Sequence, residues 1–245
     1  MAQRDNESGR LAPESVDALT FDIFGTIVDW RSGVIDAGRE LYGRIGKRTD
    51  WARLADAWRG GYEPAMEPVR SGRRPWEPID VLHGEILDRL LAERGLGLDA
   101  DDRHWFIHAW HRLPAWPDVR NGLARLRTRF TVCALSNGNV SLLEDLATCN
   151  DLGFDHILSA EHARTYKPLP AVYTTAASRL NLPPERILMV AAHEDDLRGA
   201  RAVGFRTAYL PRPTEWGPNG SAEVPAEPHD LTVADCEALA DVLGV

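Results

Sequence analysis

The segment from Ala18 to Thr26, ALTFDIFGT, gives the clearest indication of the fold, because a β-rich apolar run ends there in an acidic residue and a turn. The run from Ala18 to Phe24 favours a strand, and Gly25-Thr26 is a turn signal. Strands of this apolar kind are typical of parallel sheets that are covered on both faces. Asp22 is then expected at the carboxyl end of the strand, where open parallel sheets bind their ligands.

A long helical region follows this strand, from about Val34 to Leu113. Apolar residues recur in it at three- and four-residue spacing, as at Leu54, Trp58 and Tyr62. No strand pattern interrupts the region. It is therefore predicted to be an all-helical insertion placed directly after the first strand.

After Pro114, predicted strands and helices alternate. The strands are expected at 131–136, from 156 onward, at 186–192 and at 207–210, and the helices at 118–129, 140–149, 170–180, around 197–202 and at 234–243. The segment 211–228 holds five prolines and is predicted to be a loop. This alternation predicts an α/β fold with a doubly wound (Rossmann-like) parallel-sheet core.

The predicted organisation has three parts. Residues 1–16 are expected to be a disordered lead-in, residues 17–33 and 115–245 to form the core domain, and residues 34–114 to form a helical cap domain. The lead-in is polar and lacks the apolar run of a signal peptide.

Composition narrows the class of protein. The formal net charge of −9 argues against a nucleic-acid partner, and no apolar stretch is long enough to suggest a membrane segment. Three widely spaced cysteines predict neither a disulfide framework nor a zinc site, which favours a cytoplasmic location. The absence of GxGxxG after the first strand makes a Rossmann-type dehydrogenase improbable.

Reactive side chains follow four successive predicted strands. They are Asp22, Ser136-Asn137, Lys167, and the segment from His193 to Asp196. A single Asp at a strand end is usually a helix or turn cap. Four strand ends with reactive groups are harder to explain as capping, and they predict an active site at this edge of the sheet.

These strand ends carry four motifs that resemble those of the haloacid dehalogenase superfamily, in the family's order. The segment Phe21–Thr26 is similar to the first motif, Leu135–Gly138 to the second, Tyr166–Pro168 to the third and Met189–Ala200 to the fourth. The helical insertion stands where the family has its cap domain. The resemblance implies that Asp22 is a covalent nucleophile.

Two positions separate this chain from the magnesium-dependent phosphatases of the superfamily. Those enzymes have a second Asp two residues after the nucleophile, and Phe24 stands there in this chain and cannot transfer a proton. They also have a metal-binding acid where this chain has Ala192. Asp195 or Asp196 remains available as a ligand, so magnesium binding is disfavoured but stays open.

Other positions resemble the 2-haloacid dehalogenases, which use no metal. Trp58-Arg59 matches a cap-domain pair whose Arg grips the departing halide, and Tyr173 stands where these enzymes have a catalytic Tyr. The predicted activity is hydrolysis of small 2-haloacids, including haloacetates, through an ester on Asp22, without a cofactor. Dimers are common in the resembled family, and the sequence leaves a homodimer open.

The resemblance implies a role for each remaining site residue. Asp196 is the candidate base, Lys167 keeps Asp22 ionised, and Thr26 is a candidate hydrogen-bond donor to Asp22. Substrate and halide are expected to meet Ile23, Phe24, Arg59, Trp76, Ser136, Asn137 and His193.

His193 departs from the family pattern, because many 2-haloacid dehalogenases read Ser-Ser-Asn where this chain reads Ala191-Ala192-His193. A His can titrate near neutral pH, so it could orient water, act as a base beside Asp196, or contact the halide. Fluoroacetate is therefore a candidate substrate beside chloroacetate and 2-chloropropionate. A magnesium-dependent phosphatase and a non-catalytic binding protein on the same fold are the alternative functions.

Overall fold

The computed structural model describes residues 11–245, in which six strands form one parallel sheet. The strands are β1 (Ala18–Phe21), β2 (Thr131–Ser136), β3 (His156–Ser159), β4 (Ile187–Ala191), β5 (Arg206–Tyr209) and β6 (Leu231–Thr232). Their spatial order is β3-β2-β1-β4-β5-β6. The direction of strand addition reverses between β1 and β4, so the crevice for a ligand is expected at the carboxyl ends of these two strands.

Ten α-helices accompany the sheet in the part of the chain from residue 11 onward. They are α1 (Trp30–Ile45), α2 (Trp51–Gly60), α3 (Tyr62–Arg70), α4 (Ile79–Glu93), α5 (Ala100–Ile107), α6 (Val119–Leu126), α7 (Val140–Asn150), α8 (Pro170–Leu180), α9 (Glu194–Ala202) and α10 (Cys236–Val242). The predicted α/β fold with a doubly wound parallel sheet is confirmed.

The insertion between β1 and β2 is helical throughout its regular elements, α1 to α5. Asp29 caps the first of these helices by accepting a hydrogen bond from the backbone N–H of Ser32 at 3.0 Å, so α1 begins at Trp30 and not at Val34. Trp58 and Trp110 are fully buried in its interior, where their rings meet edge to face at 5.6 Å. The domain limits at residues 33 and 114 stay a prediction.

Several element boundaries differ from those predicted. β1 ends at Phe21 and leaves Asp22 directly after the strand, and α9 begins at Glu194 because three acidic residues fill its first turn. The two-residue strand β6 was not predicted, since so short a run has no alternation pattern.

The predicted lead-in lies only partly within the described residues. Residues 1–10 are outside them, whereas Pro13–Ser15 form one turn of 3₁₀ helix and Val16 is buried. Among residues 11–245, no helix combines the length and apolarity needed to cross a membrane.

Candidate active site

The carboxyl ends of β1 and β4 and the loop before α8 bring three charged side chains into contact. The Lys167 ammonium donates to Asp22 Oδ1 at 2.8 Å, to Asp196 Oδ2 at 2.5 Å and to the carbonyl of Leu135 at 2.9 Å. All three charged residues are buried, so their charges are only weakly screened by solvent. One cation thus holds two carboxylates at the sheet edge.

Burial and charge act in opposite directions on Asp22. Burial raises the pKa of its carboxyl, but the charges of Lys167 and His193 outweigh burial and hold that pKa well below its usual value. Burial also dominates at Asp196, whose pKa is raised despite its contact with Lys167. Asp22 is therefore the more readily ionised of the two carboxyl groups, as a nucleophile needs to be.

Two hydroxyl groups complete the hydrogen bonds of these carboxylates. Thr26 donates to Asp22 Oδ2 at 2.9 Å and accepts from the backbone N–H of Ala192 at 2.9 Å. Tyr173 donates to Asp196 Oδ1 at 2.6 Å. Each oxygen of Asp196 therefore already accepts a strong hydrogen bond. Asp196 is better placed to hold Lys167 than to accept a proton from water.

A second cationic group lies on the other side of Asp22. Nδ1 of His193 is 3.3 Å from Asp22 Oδ2, and its Nε2 is 3.0 and 3.1 Å from the two carboxylate oxygens of Glu215. Burial lowers the pKa of His193, but these two carboxylates outweigh burial and raise it to about 10. The imidazole is therefore protonated at neutral pH in this arrangement.

Sequence reasoning missed Glu215. It lies in the proline-rich segment 211–228, which the sequence identifies only as a loop, yet its side chain is buried and reaches the site. Gly25 makes room for it, since a Cβ on Gly25 would overlap the Glu215 carboxylate. Gly25 also has a φ of +88°, which favours glycine.

A small cavity of about 90 Å³ opens onto these groups. The residues that line it are Asp22, Phe24, Arg59, Tyr62, Glu63, Ser136, Asn137, Lys167, Pro168, His193, Asp195 and Asp196. Most of the residues predicted from the sequence are thus brought to one cavity. Thr26 and Tyr173 lie behind its wall, where they contact Asp22 and Asp196.

Two predicted substrate-binding side chains are not in the wall of this cavity. Ile23 is buried in the hydrophobic core, as expected for a residue that points away from Asp22. Trp76 does not line this cavity, since its indole packs half-buried against the core with the Arg164 guanidinium 5.6 Å from its ring, and its role in substrate binding stays a prediction. Trp76 lies in the segment between α3 and α4, where no helix periodicity indicates which way a side chain faces.

The side of the cavity formed by α2 carries a cation with unused donors. The Arg59 guanidinium lies 4.5 Å from the ring centre of Tyr62 and 5.8 Å from that of Trp30. Within residues 11–245, the buried Nε of Arg59 and the buried hydroxyl of Tyr62 have no hydrogen-bond partner. Buried donors without partners are costly, so an anion in this cavity would satisfy them.

The end of β2 supplies two further polar side chains to the cavity. Ser136 is buried at the end of β2, where its hydroxyl oxygen accepts from the backbone N–H of Gly138 at 3.2 Å. Asn137 accepts a hydrogen bond from the backbone N–H of Lys167 at 2.8 Å through its side-chain oxygen. This bond fixes the loop that carries the lysine.

Comparisons with known proteins agree with this fold and site. A family model for haloacid dehalogenase-like hydrolases matches residues 16–204. The chain is 30% identical over 203 residues to (S)-2-haloacid dehalogenase 1 from Pseudomonas sp. (strain CBS-3), which covers 81% of this chain and 86% of that protein.

Two solved structures are similar over nearly the whole chain. One is an L-2-haloacid dehalogenase, at 40% identity and a TM-score of 0.90, covering 93% of this chain and 98% of the other. The second is a defluorinating L-2-haloacid dehalogenase, at 36% identity and a TM-score of 0.92, covering 97% of this chain and all of the other.

The chain therefore belongs to the haloacid dehalogenase-like hydrolases, as its four motifs predicted. Within that family, the three proteins described above are all 2-haloacid dehalogenases by name.

Proposed function

We propose that this protein hydrolyses small 2-haloacids through an ester on Asp22, with no metal ion. The observation that carries the proposal is the Asp22 carboxylate, held by Lys167 at 2.8 Å, at the wall of a small cavity that also holds Arg59, whose buried Nε has no hydrogen-bond partner among residues 11–245. The similarity to 2-haloacid dehalogenases supports the reaction class. A cavity of about 90 Å³ favours haloacids of two or three carbons.

The substrate carboxylate binds at the strand-end side of the cavity in this proposal. Ser136 offers its hydroxyl there, and the backbone N–H groups of Ile23 and Phe24 stand next to the nucleophile. Anchoring the carboxylate at this side directs the halogen towards the cap. Asp22 then attacks the halogen-bearing carbon from the side opposite the halogen, so a stereocentre is inverted.

The departing halide is received by groups on the cap and at the end of β2. Arg59 supplies the positive charge and Asn137 an amide donor where negative charge develops. The unpartnered hydroxyl of Tyr62 adds a further donor beside Arg59. Burial raises the pKa of that hydroxyl well above its usual value, so it stays protonated as a donor.

Phe24 supports a reaction without magnesium. Its ring packs edge-on against Tyr62 at 6.3 Å and Trp110 at 5.7 Å, at the position where the phosphatases of the superfamily place their acid–base Asp. Lys167 and His193 already balance the charge of Asp22, which is the charge balance that a metal ion would otherwise provide.

Halide release in EDTA tests the proposed function. Purified protein is incubated with chloroacetate, fluoroacetate and each enantiomer of 2-chloropropionate, and free halide and hydroxyacid are measured. We expect chloride from chloroacetate and from the (S) enantiomer only, with (R)-lactate as the product, because carboxylate and halide are both held at fixed points. Release of fluoride would assign fluoroacetate as a substrate.

The absence of halide from all four compounds would contradict the proposal. Phosphate release from small phosphate esters, dependent on magnesium, would then support the phosphatase alternative.

A further inference from the structure

The second half of the proposed reaction needs a base that can take a proton from water. Asp196, the base predicted from the sequence, has both oxygens engaged by Lys167 and Tyr173. His193 also contacts Asp22, with Nδ1 at 3.3 Å from Oδ2, and an imidazole can serve as a base once it has lost a proton. A water that approaches the Asp22 ester carbon from the cavity would pass beside this ring nitrogen.

Glu215 is placed to control His193 from the far side of the ring. Its carboxylate accepts from the Trp30 indole N–H at 2.8 Å and contacts Nε2 of His193 through both oxygens. The carboxylate is buried, so its effect on the imidazole is only weakly screened. A carboxylate in this position fixes the ring orientation and determines which ring nitrogen faces the reacting atoms.

The loop that carries Glu215 is anchored by a buried Arg. Arg212 donates to both carboxylate oxygens of Asp118, at 2.7 and 2.8 Å, and to the carbonyl of Thr26 at 2.9 Å. The backbone N–H of Glu215 then closes a turn onto the carbonyl of Arg212 at 3.0 Å. The contact between Glu215 and His193 is therefore built into the fold and is not a chance approach of a surface side chain.

We propose that Glu215 is a positioning residue that makes His193 the base for hydrolysis of the Asp22 ester. This inference rests on the proposed dehalogenase function, because it concerns the fate of the ester that the first step forms. In this proposal Asp196 holds Lys167 in place and does not act as the base.

The proton balance follows from the charges around His193. While Asp22 is ionised, His193 lies between two carboxylates and keeps its proton. Esterification removes the charge of Asp22, so His193 retains only Glu215 as an anionic partner, and its pKa falls from about 10. The imidazolium can then release a proton to solvent and become a base.

Neutral His193 next takes a proton from water as the hydroxide oxygen bonds to the ester carbon of Asp22. The tetrahedral intermediate collapses by breaking the bond between this carbon and the ester oxygen. That oxygen leaves with the product and takes the proton from His193, which leaves Asp22 as a carboxylic acid. Asp22 then gives this remaining proton of the water to His193, so the carboxylate and the imidazolium are both restored.

Other charged groups contact the imidazole or line the same cavity, so its titration belongs to the whole cluster. They are Asp22, Glu215, Arg59, Lys167, Asp195 and Asp196. Only Asp22 changes charge during the proposed reaction, so the fall in the His193 pKa is linked to ester formation.

Glu215→Gln separates the two chemical steps. Rapid-quench measurements with (S)-2-chloropropionate should show a burst of chloride equal to the enzyme concentration, followed by hydroxyacid formation that is slower by about 10²-fold or more. Mass spectrometry of the quenched enzyme should find the ester on Asp22. The pH midpoint of ester hydrolysis should also move down, because loss of the Glu215 charge lowers the His193 pKa.

Glu227→Gln is the matched control. Glu227 lies in the same loop but is exposed, and its carboxylate pairs with Arg201 at 2.9 Å instead of with His193. This control should leave both steps at the wild-type rate. The double variant His193→Gln/Glu215→Gln should be no slower than His193→Gln alone, because both changes remove the same function.

Three results would overturn the inference. They are ester hydrolysis at the wild-type rate in Glu215→Gln, loss of the chloride burst with hydrolysis unchanged, or additive losses in the double variant. If Glu215→Gln does not fold, His193→Gln takes its place in the test, and it should accumulate the ester. If the wild type releases no halide from any haloacid, the proposed function fails first, which is a separate outcome.

Discussion

Asp22→Asn is expected to abolish halide release, with a loss of at least about 10⁴-fold in kcat/KM, because the amide is a far weaker nucleophile than the carboxylate. The side chain keeps its shape, and Thr26 and Lys167 still bracket it, so the fold should persist. Chloride release from (S)-2-chloropropionate measures the effect. Thermal unfolding of the same preparation measures whether the protein is still folded.

Asp17→Asn is the control for this variant. Asp17 immediately precedes β1, at the opposite end of the strand from Asp22, and pairs with Arg186 at the surface. Exposed ion pairs of this kind contribute little to stability, so activity should be unchanged. Halide release by folded Asp22→Asn at a rate close to that of the wild type would contradict the role of Asp22.

Lys167→Met should produce the largest loss of stability. Lys167 is the shared cation of two buried carboxylates, and removing it leaves Asp22 and Asp196 close together without that charge. Removing one partner of a buried ion pair typically costs about 3–5 kcal/mol in the free energy of unfolding. Urea unfolding from pH 5 to pH 8 measures this cost, and halide release should fall as well because Asp22 loses its counter-ion.

The stability of Lys167→Met should change with pH in the direction opposite to the change that Asp22 causes in the wild type. In the wild type the folded-state pKa of Asp22 is depressed, so its contribution to stability is present above the unfolded-state pKa and is lost at lower pH. In Lys167→Met, burial and mutual repulsion raise a carboxyl pKa, so stability falls as pH rises through that value.

Lys47→Met is the control, because Lys47 is exposed in the segment between α1 and α2. It should unfold like the wild type at every pH. Equal stability of Lys167→Met and the wild type at pH 8 would show that Lys167 is not the main cation of the site.

Strand ends explain why so much of the site could be predicted from the sequence. In a parallel sheet, residues directly after different strands converge in space, so Asp22, Ser136 and His193 could be placed together without knowing any loop structure. Strong local signals also predicted the limits that are observed for α8, Pro170–Leu180, and for β2, Thr131–Ser136. Proline at the start of α8 and Asn181 in the left-handed region at its end account for the helix limits.

Residues placed by irregular backbone could not be predicted in the same way. Glu215 reaches His193 through a turn in the segment 211–228 that Arg212 anchors, and no periodicity marks such a contact. The unpartnered hydroxyl of Tyr62 and the packing of Trp76 against the core depend on how the insertion is arranged on the sheet. Spacing along one helix does not contain that information.

A single turnover in ¹⁸O-labelled water shows whether Asp22 or water attacks the halogen-bearing carbon. With enzyme in excess over (S)-2-chloropropionate, we expect lactate whose new hydroxyl oxygen is unlabelled, because it comes from Asp22. One ¹⁸O atom should then be found in the peptide that contains Asp22. Labelled lactate with an unlabelled Asp22 peptide would contradict the covalent mechanism.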